Sequence, residues 1–288
     1  MPTFRFGVVS AGAPSGTRWA ELARRVEAAG FDTLVVPDNL SQGLSPFPAL
    51  AAAGAVTSAL RVGTYVLAND LRHPVQVAKE AVALAALTDG RFELGLGAGR
   101  PGGDREVAMI GKSWDAPAIR IDRLAEAVSI VRRLLAGETV DLTGGHYRAH
   151  GASVTDRPVD VPLLIAGSGP RMLRLAGSLA DTVALGVAPG ATAEQLTGSV
   201  EAVRNGARGR PVELNLNLMA VDGVLPRHLQ GRLDRSVLAD SVAAVAGPPR
   251  DMADQLRERR ERFGISYVLV GEELMDAFAP VVVELAGT

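Results

Sequence analysis

Apolar and polar positions divide the chain into short runs that repeat as strand, small-residue loop and helix. Phe4 to Ser10 is an apolar run that stops at SAGAPSG, and from Thr17 onward Trp19, Leu22, Ala23 and Val26 recur at helical spacing. Gly30 closes that helix. Thr33 to Pro37 then reads as a continuous apolar strand with Asp38 and Asn39 just past its end. Pro46 to Thr57 is an alanine-rich helix, and Arg61 to Ala68 is a β-branched strand running into Asn69. Pro74 suits a first helical position, and Val75, Ala78, Val82 and Ala85 form the stripe of the helix it opens. The next stretch, GRFELGLGAGRPGG at 90–103, sets Phe92, Leu94 and Leu96 against Glu93, Gly95 and Gly97 on opposite faces. If it is one stave of a closed barrel, the leucines pack outward and the glycine face leaves the mouth open to a flat ligand. Gly97, Gly99, Gly102 and Gly103 would then let the backbone approach that ligand closely. The plainer alternative is a strand followed by an ordinary glycine turn.

A short helical segment follows Gly103 and leads to Trp114. Ile121, Leu124, Val128, Val131 and Leu135 then step along one face of the clearest amphipathic helix in the chain. The segment 138–160 departs from the pattern: VDLT and HYRAH around Gly144-Gly145 read as a hairpin inserted before the fifth strand. Regularity resumes with strand Pro162–Ala166, a helix from Pro170, strand Thr182–Leu185, helix Ala193–Ala207 and strand Val212–Val221. Helix Asp251–Phe263, strand Ser266–Val270 and a closing helix from Glu272 complete eight strands. Parallel neighbours need such crossovers, so the fold expected is α/β, a single (β/α)8 TIM barrel over 1–288. A doubly wound open sheet is the runner-up. It normally carries G-x-G-x-x-G after its first strand, a pattern that SAGAPSG, GLGAGR and GSGPRM all miss.

Composition narrows the function. With 288 residues and 47% hydrophobic content the chain can bury a large core. A formal charge of −2 without a long basic run gives no footprint for nucleic acid or an anionic membrane, so small molecules are the expected partners. The absence of cysteine removes disulfides, thiol nucleophiles and thiolate metal sites, and fits a reducing cytoplasm. No charged leader precedes an apolar core, and no apolar run reaches the roughly 18 residues of a membrane helix, so a soluble, cytoplasmic protein is expected. Neither H-E-x-x-H nor a clustered acid pattern supports a metal.

In a barrel the chemistry gathers on loops at the C-terminal strand ends. Those loops hold Ser10, Asp38, Asn39, Ala68, Asn69, Gly97 to Gly103, Gly167 to Pro170 and Gly186. Gly167, Ser168, Gly169 and Pro170 lie between the strand PLLIA and a helix, where backbone N–H groups can bind a phosphate and Arg171 can add charge; a plain strand-to-helix turn is the alternative. GVAPG at 186–190 is a second loop of this kind. Asp38 and Asn39 either hydrogen-bond a heterocycle's edge or cap the next turn. His73 reads as a cap before Pro74, while His146, His150 and His228 read as solvated.

With these residues laid out, the chain resembles the bacterial luciferase-like superfamily, and within it the coenzyme F420-dependent oxidoreductases abundant in actinobacteria. The stretches that carry the likeness are RVGTYVLANDLRHP at 61–74, DGRFELGLGAGR at 89–100, IRIDRLAEAVSIVRRLLAGETV at 119–140 and PLLIAGSGPRMLRLAGSLADTVAL at 162–185. The resemblance implies a homodimeric barrel that holds a deazaflavin (F420), or alternatively FMN, edge-on in its mouth. It implies a bulge, often with a non-proline cis peptide, at Tyr65 and Val66 behind the ring. It places the cofactor against Asp38, Asn39, Asn69, Gly97, Gly99 and Arg100, and the phosphate at Gly167–Arg171 and Gly186. The implied reaction is hydride transfer to or from a small organic substrate, with Asp38 and Asn39 as candidate catalytic residues and no metal. An FMN-dependent monooxygenase and a non-catalytic cofactor carrier are the competing readings. Two departures matter. Many relatives carry Asp-His where this chain has Asp38-Asn39, and asparagine exchanges no proton near neutral pH. Relatives that oxidise sugar phosphates have a carboxylate after the fourth strand, where Arg100 stands, so that substrate is not carried over.

Overall fold

The computed structural model describes residues 2–232 and 235–288. Its strands are β1 (Arg5–Val9), β2 (Thr33–Val36), β3 (Arg61–Thr64), β4 (Leu67–Ala68), β5 (Phe92–Gly97), β6 (Val140–Thr143), β7 (Arg148–Ala152), β8 (Leu163–Gly167), β9 (Thr182–Leu185), β10 (Glu213–Leu218), β11 (Ala220–Val221), β12 (Ala244–Val245) and β13 (Ile265–Gly271). The helices are α1 (Gly16–Ala28), α2 (Pro46–Ala55), α3 (Pro74–Leu87), α4 (Asp104–Met109), α5 (Pro117–Leu135), α6 (Pro170–Leu179), α7 (Ala193–Ala207), α8 (Pro249–Phe263) and α9 (Met275–Leu285). The main sheet has the order β3-β2-β1-β13-β10-β9-β8-β5-β4, and β3 also pairs with β5. β3 and β4 are the two halves of one stave, so nine strands make eight staves and the fold is a (β/α)8 barrel. The antiparallel pair β6–β7 stands outside that sheet, as the hairpin reading requires.

Contacts group the chain into two compact units. One comprises residues up to Ser10, Glu21–Val35 and Gly167–Thr288. Here β1 pairs in parallel with β2 and β13, and β10 with β9 and β13. Its core includes Phe6, Leu34, Leu216, Val268 and Phe278, all essentially inaccessible, with Phe6 and Phe278 edge to face at 5.7 Å. α7 begins with a capping box: Thr192 Oγ1 accepts from the Gln195 N–H at 3.4 Å and Gln195 Oε1 from the Thr192 N–H at 3.1 Å.

The other unit comprises Ala11–Ala20 and Val36–Ala166. β5 is buried along its whole length, paired with β3 and β4 on one side and β8 on the other. Leu94 lines one cavity together with Val131 and Leu135 of α5, so this leucine lies on the helix side of the strand. The glycine face differs from the expectation of an open mouth. A Cβ on Gly95 would lie 2.0 Å from the Thr64 carbonyl oxygen, and one on Gly97 would lie 2.9 Å from Val66 Cγ2. These glycines make room for the neighbouring stave. Thr64 Oγ1 donates to the Gly95 carbonyl at 2.8 Å and accepts its N–H at 2.7 Å.

That stave is also where a continuous strand over 61–68 fails: it breaks between Thr64 and Leu67, and the Tyr65–Val66 peptide is cis. A further difference is the end of the 212–221 strand. Met219 leaves the main sheet, and Ala220–Val221 pairs in parallel with Ala244–Val245.

Candidate active site

Asp38 lies two residues beyond β2, with its carboxylate 1% exposed. One oxygen accepts the Ala68 N–H at 3.1 Å and pairs with the Arg72 guanidinium, which itself sits 5.8 Å over the Phe47 ring. The carboxylate therefore braces the end of β2 against the end of β4. Asn39 Oδ1 accepts the Ser41 N–H and hydroxyl, each at 2.9 Å, and the Gln42 N–H at 3.1 Å. This is an Asx turn, so the oxygen of Asn39 is spent on the turn-capping alternative.

Just before the cis peptide, the Tyr65 N–H donates to the Val36 carbonyl at 2.9 Å, and burial pushes the Tyr65 phenol well above its ordinary pKa. Asn69, buried at the end of β4, donates through Nδ2 to the Tyr147 hydroxyl at 3.0 Å. Tyr147 comes from the hairpin. Glu126 of α5 fixes it by accepting its N–H at 2.8 Å, and the His73 ring meets its edge at 5.4 Å. Burial raises the Tyr147 phenol to about 12, the hydrogen bond from Asn69 opposing the shift. His73 Nδ1 accepts the Val75 N–H at 3.3 Å and so caps α3 as read. Next to Asn69, Asp70 is buried and pairs with Arg123 at 2.6 Å, which also pairs with Asp115.

The loop after β5 is shaped by Trp114. Gly99 has φ +89°, and a Cβ there would lie 2.6 Å from Trp114 Cη2. The Arg120 guanidinium stacks 3.9 Å from the same indole and donates to the Ala98 and Gly99 carbonyls. What Gly99 approaches within the protein is thus an aromatic ring. Arg100, its side chain 56% exposed, pairs with Glu106 at 3.2 Å.

In the unit that resumes at Gly167, this glycine lies against Met172, and its carbonyl accepts the Gly186 N–H at 2.8 Å. The two small-residue loops are therefore joined. Gly169, the cap of α6, has φ +78° with no atom within 4 Å of where a Cβ would stand, and Ser168, Gly169, Pro170, Arg171 and Gly186 are all exposed. A helix N-terminus opened by exposed glycine backbone is a site for an anion. At the end of β1 the buried Ser10 hydroxyl donates to Glu272 Oε2 at 2.6 Å, just past β13.

Arg72, Tyr147, Glu126, Arg123 and Glu272 escaped the sequence reading. RHP at 72–74 was visible as a helix start, but nothing in it pairs Arg72 with a carboxylate 34 positions earlier. Among the described residues no group of three or more His, Asp or Glu could hold a metal ion, and no helix is long and apolar enough to cross a membrane.

The chain is similar to solved structures of the same fold. Over 99% of both chains it aligns with a coenzyme F420-dependent tetrahydromethanopterin reductase from Methanopyrus kandleri at TM-score 0.80 and 20% identity. With an F420-dependent secondary alcohol dehydrogenase it aligns at TM-score 0.82 and 21% identity, over 99% of this chain and 98% of that one. In sequence it is 36% identical over 190 residues to the F420-dependent glucose-6-phosphate dehydrogenase of Nakamurella multipartita, covering 62% of this chain and 55% of that protein. It is 40% identical over 164 residues to the enzyme of the same name from Beutenbergia cavernae, covering 54% and 48%. The chain spans about half the length of the curated relatives it matches. Residues 1–222 match the luciferase-like monooxygenase family, and the chain belongs to that family.

Proposed function

We propose that this protein is an oxidoreductase that binds coenzyme F420 and transfers hydride between it and a small organic substrate. The observation that carries the reading is the exposed cradle at Gly167–Arg171: left-handed Gly169, the start of α6 and the carbonyl-linked Gly186 loop fit the phosphate of such a cofactor. The names of the relatives favour F420 over FMN.

When bound, F420 supplies a carbon centre, C5, that gives or takes hydride; the chain supplies orientation and electrostatics. The ring is proposed to lie against Tyr65 and Val66, with Asp38, Asn39, Asn69, Gly97, Gly99 and Arg100 around it. Asp38 works through others: with Arg72 and the Ala68 N–H it fixes the end of β4, and so the placement of Tyr65, Val66 and Asn69. Asn39 holds the following loop and moves no proton near neutral pH, so the substrate's proton is exchanged with solvent or another group. Arg100, paired with Glu106, replaces the carboxylate expected of sugar-phosphate oxidation, which argues for a different substrate although the relatives are named for glucose 6-phosphate. We further propose a homodimer, checked by sedimentation.

Titration with F420 and with FMN, followed by mixing the reduced complex with oxygen, tests the assignment. F420 is expected to bind more tightly, and its reduced complex to persist in air. Tight FMN binding with rapid oxygen consumption would favour a flavin monooxygenase. Stoichiometric F420 binding without turnover across a panel of enones and alcohols would favour a carrier.

A further inference from the structure

β10 alternates without a break. Leu214, Leu216 and Leu218 are buried on one face, and Glu213, Asn215 and Asn217 share the other. Two of these three polar groups have work inside the protein. Glu213 accepts the Thr182 hydroxyl at 2.9 Å, and Asn215, fully buried, donates through Nδ2 to the Tyr267 carbonyl at 3.2 Å. Asn217 differs. Its Oδ1 is shut off from solvent and has no hydrogen-bond partner among the described residues.

Position separates Asn217 from other unpartnered groups on this unit's strands. Thr33 Oγ1 is on the first residue of β2 and Ser266 Oγ on the second of β13, both at the N-terminal ends. Asn217 is the fifth of six residues in β10, level with Leu269 of β13, at the end from which strand-to-helix loops leave. An amide oxygen without a partner in a buried place destabilises the fold, and leucine has the same branching at Cγ without that cost. A group kept against stability at the functional end of a barrel strand is accounted for by a ligand that completes its hydrogen bonds.

We propose that Asn217 is a ligand-contacting residue whose amide reads the imide edge of the bound heterocycle. A primary amide presents a donor beside an acceptor, and an imide presents N–H beside C=O, so the two groups match pairwise. Rotation about the bond to Cγ lets either amide atom take either role. The inference rests on the F420 assignment above and adds a residue to it.

The test combines F420 fluorescence titration with thermal unfolding of the ligand-free protein for wild type, N217L, N217A and N215L. N217L is expected to keep or raise the unfolding temperature while weakening F420 binding tenfold or more; N217A is expected to weaken binding similarly. N215L removes a fully buried, hydrogen-bonded amide and its bond to the Tyr267 carbonyl, and is expected to lower the unfolding temperature. If wild type binds F420 and N217L binds within twofold of it, the contact is refuted while the cofactor assignment stands. If N217L and N217A lower the unfolding temperature as much as N215L, Asn217 is structural and the inference fails. If wild type takes up no F420, the assignment fails and the contact with it.

Discussion

Replacing Gly95 by alanine attacks the junction on which the β3–β4 stave depends. The new methyl would stand 2.0 Å from the Thr64 carbonyl oxygen, 3.1 Å from its carbon and 3.0 Å from Val66 Cγ1. An ordinary carbon–oxygen contact is more than a full ångström longer, and the obstructing atom is backbone in a paired strand, so no flexible side chain can swing aside. Relief requires β5 to move away from Thr64, which breaks the two hydrogen bonds between Thr64 Oγ1 and the Gly95 backbone. Overpacking of this kind costs about 1–3 kcal/mol, and each lost buried hydrogen bond about 1 kcal/mol more. The expected loss is therefore about 3–5 kcal/mol. For a chain of this size that lowers the unfolding temperature by roughly 5–8 °C, measured by circular dichroism. Gly97→Ala, whose methyl meets only Val66 Cγ2 closely, at 2.9 Å, should lose less than half as much. A Gly95→Ala protein within about 1 kcal/mol of wild type, or one less affected than Gly97→Ala, would refute the packing argument.

Other expectations follow from single interactions. Asp38→Asn removes the charge that Arg72 faces in a largely buried pair and should destabilise by about 2 kcal/mol in urea unfolding, with weaker F420 binding because β4 loosens. Tyr147 titrates near 12 in the folded chain, above its ordinary value of 10, because burial favours the neutral phenol. Its contribution to stability is complete below pH 10 and fades as pH rises from 10 to 12, so the unfolding midpoint of wild type should fall across that window more steeply than that of Tyr147→Phe. Equal slopes would contradict the assignment. Thr192→Ala breaks the capping box of α7 and should cost about 1 kcal/mol by chemical denaturation; an unchanged midpoint would count against the cap.

How much of this was legible in sequence depends on the range of the interactions involved. α7 has the bounds read from sequence, Ala193–Ala207, because helix signals are local; His73-Pro74 announced α3 for the same reason. Eight staves could be counted because parallel strands in a barrel are short apolar runs separated by helices. The close approaches of Gly95, Gly97 and Gly99 were only half legible. Composition says only that the backbone there comes close to something, and the something is Thr64, Val66 and Trp114, up to 31 positions away. The Asn69–Tyr147 bond joins residues 78 apart, beyond any periodicity. β11 and β12 hold two residues each, too few for alternation to register. The glycine loop that opens α6 was readable because such a loop before a helix is a local motif. The pairing that locks Asp38 was not.

A crystal structure of the protein soaked with F420 tests the central proposal most directly. The account expects density for the cofactor's phosphate within hydrogen-bond distance of backbone N–H groups between Gly167 and Arg171. A phosphate bound elsewhere, with that glycine turn empty at saturating F420, would contradict it.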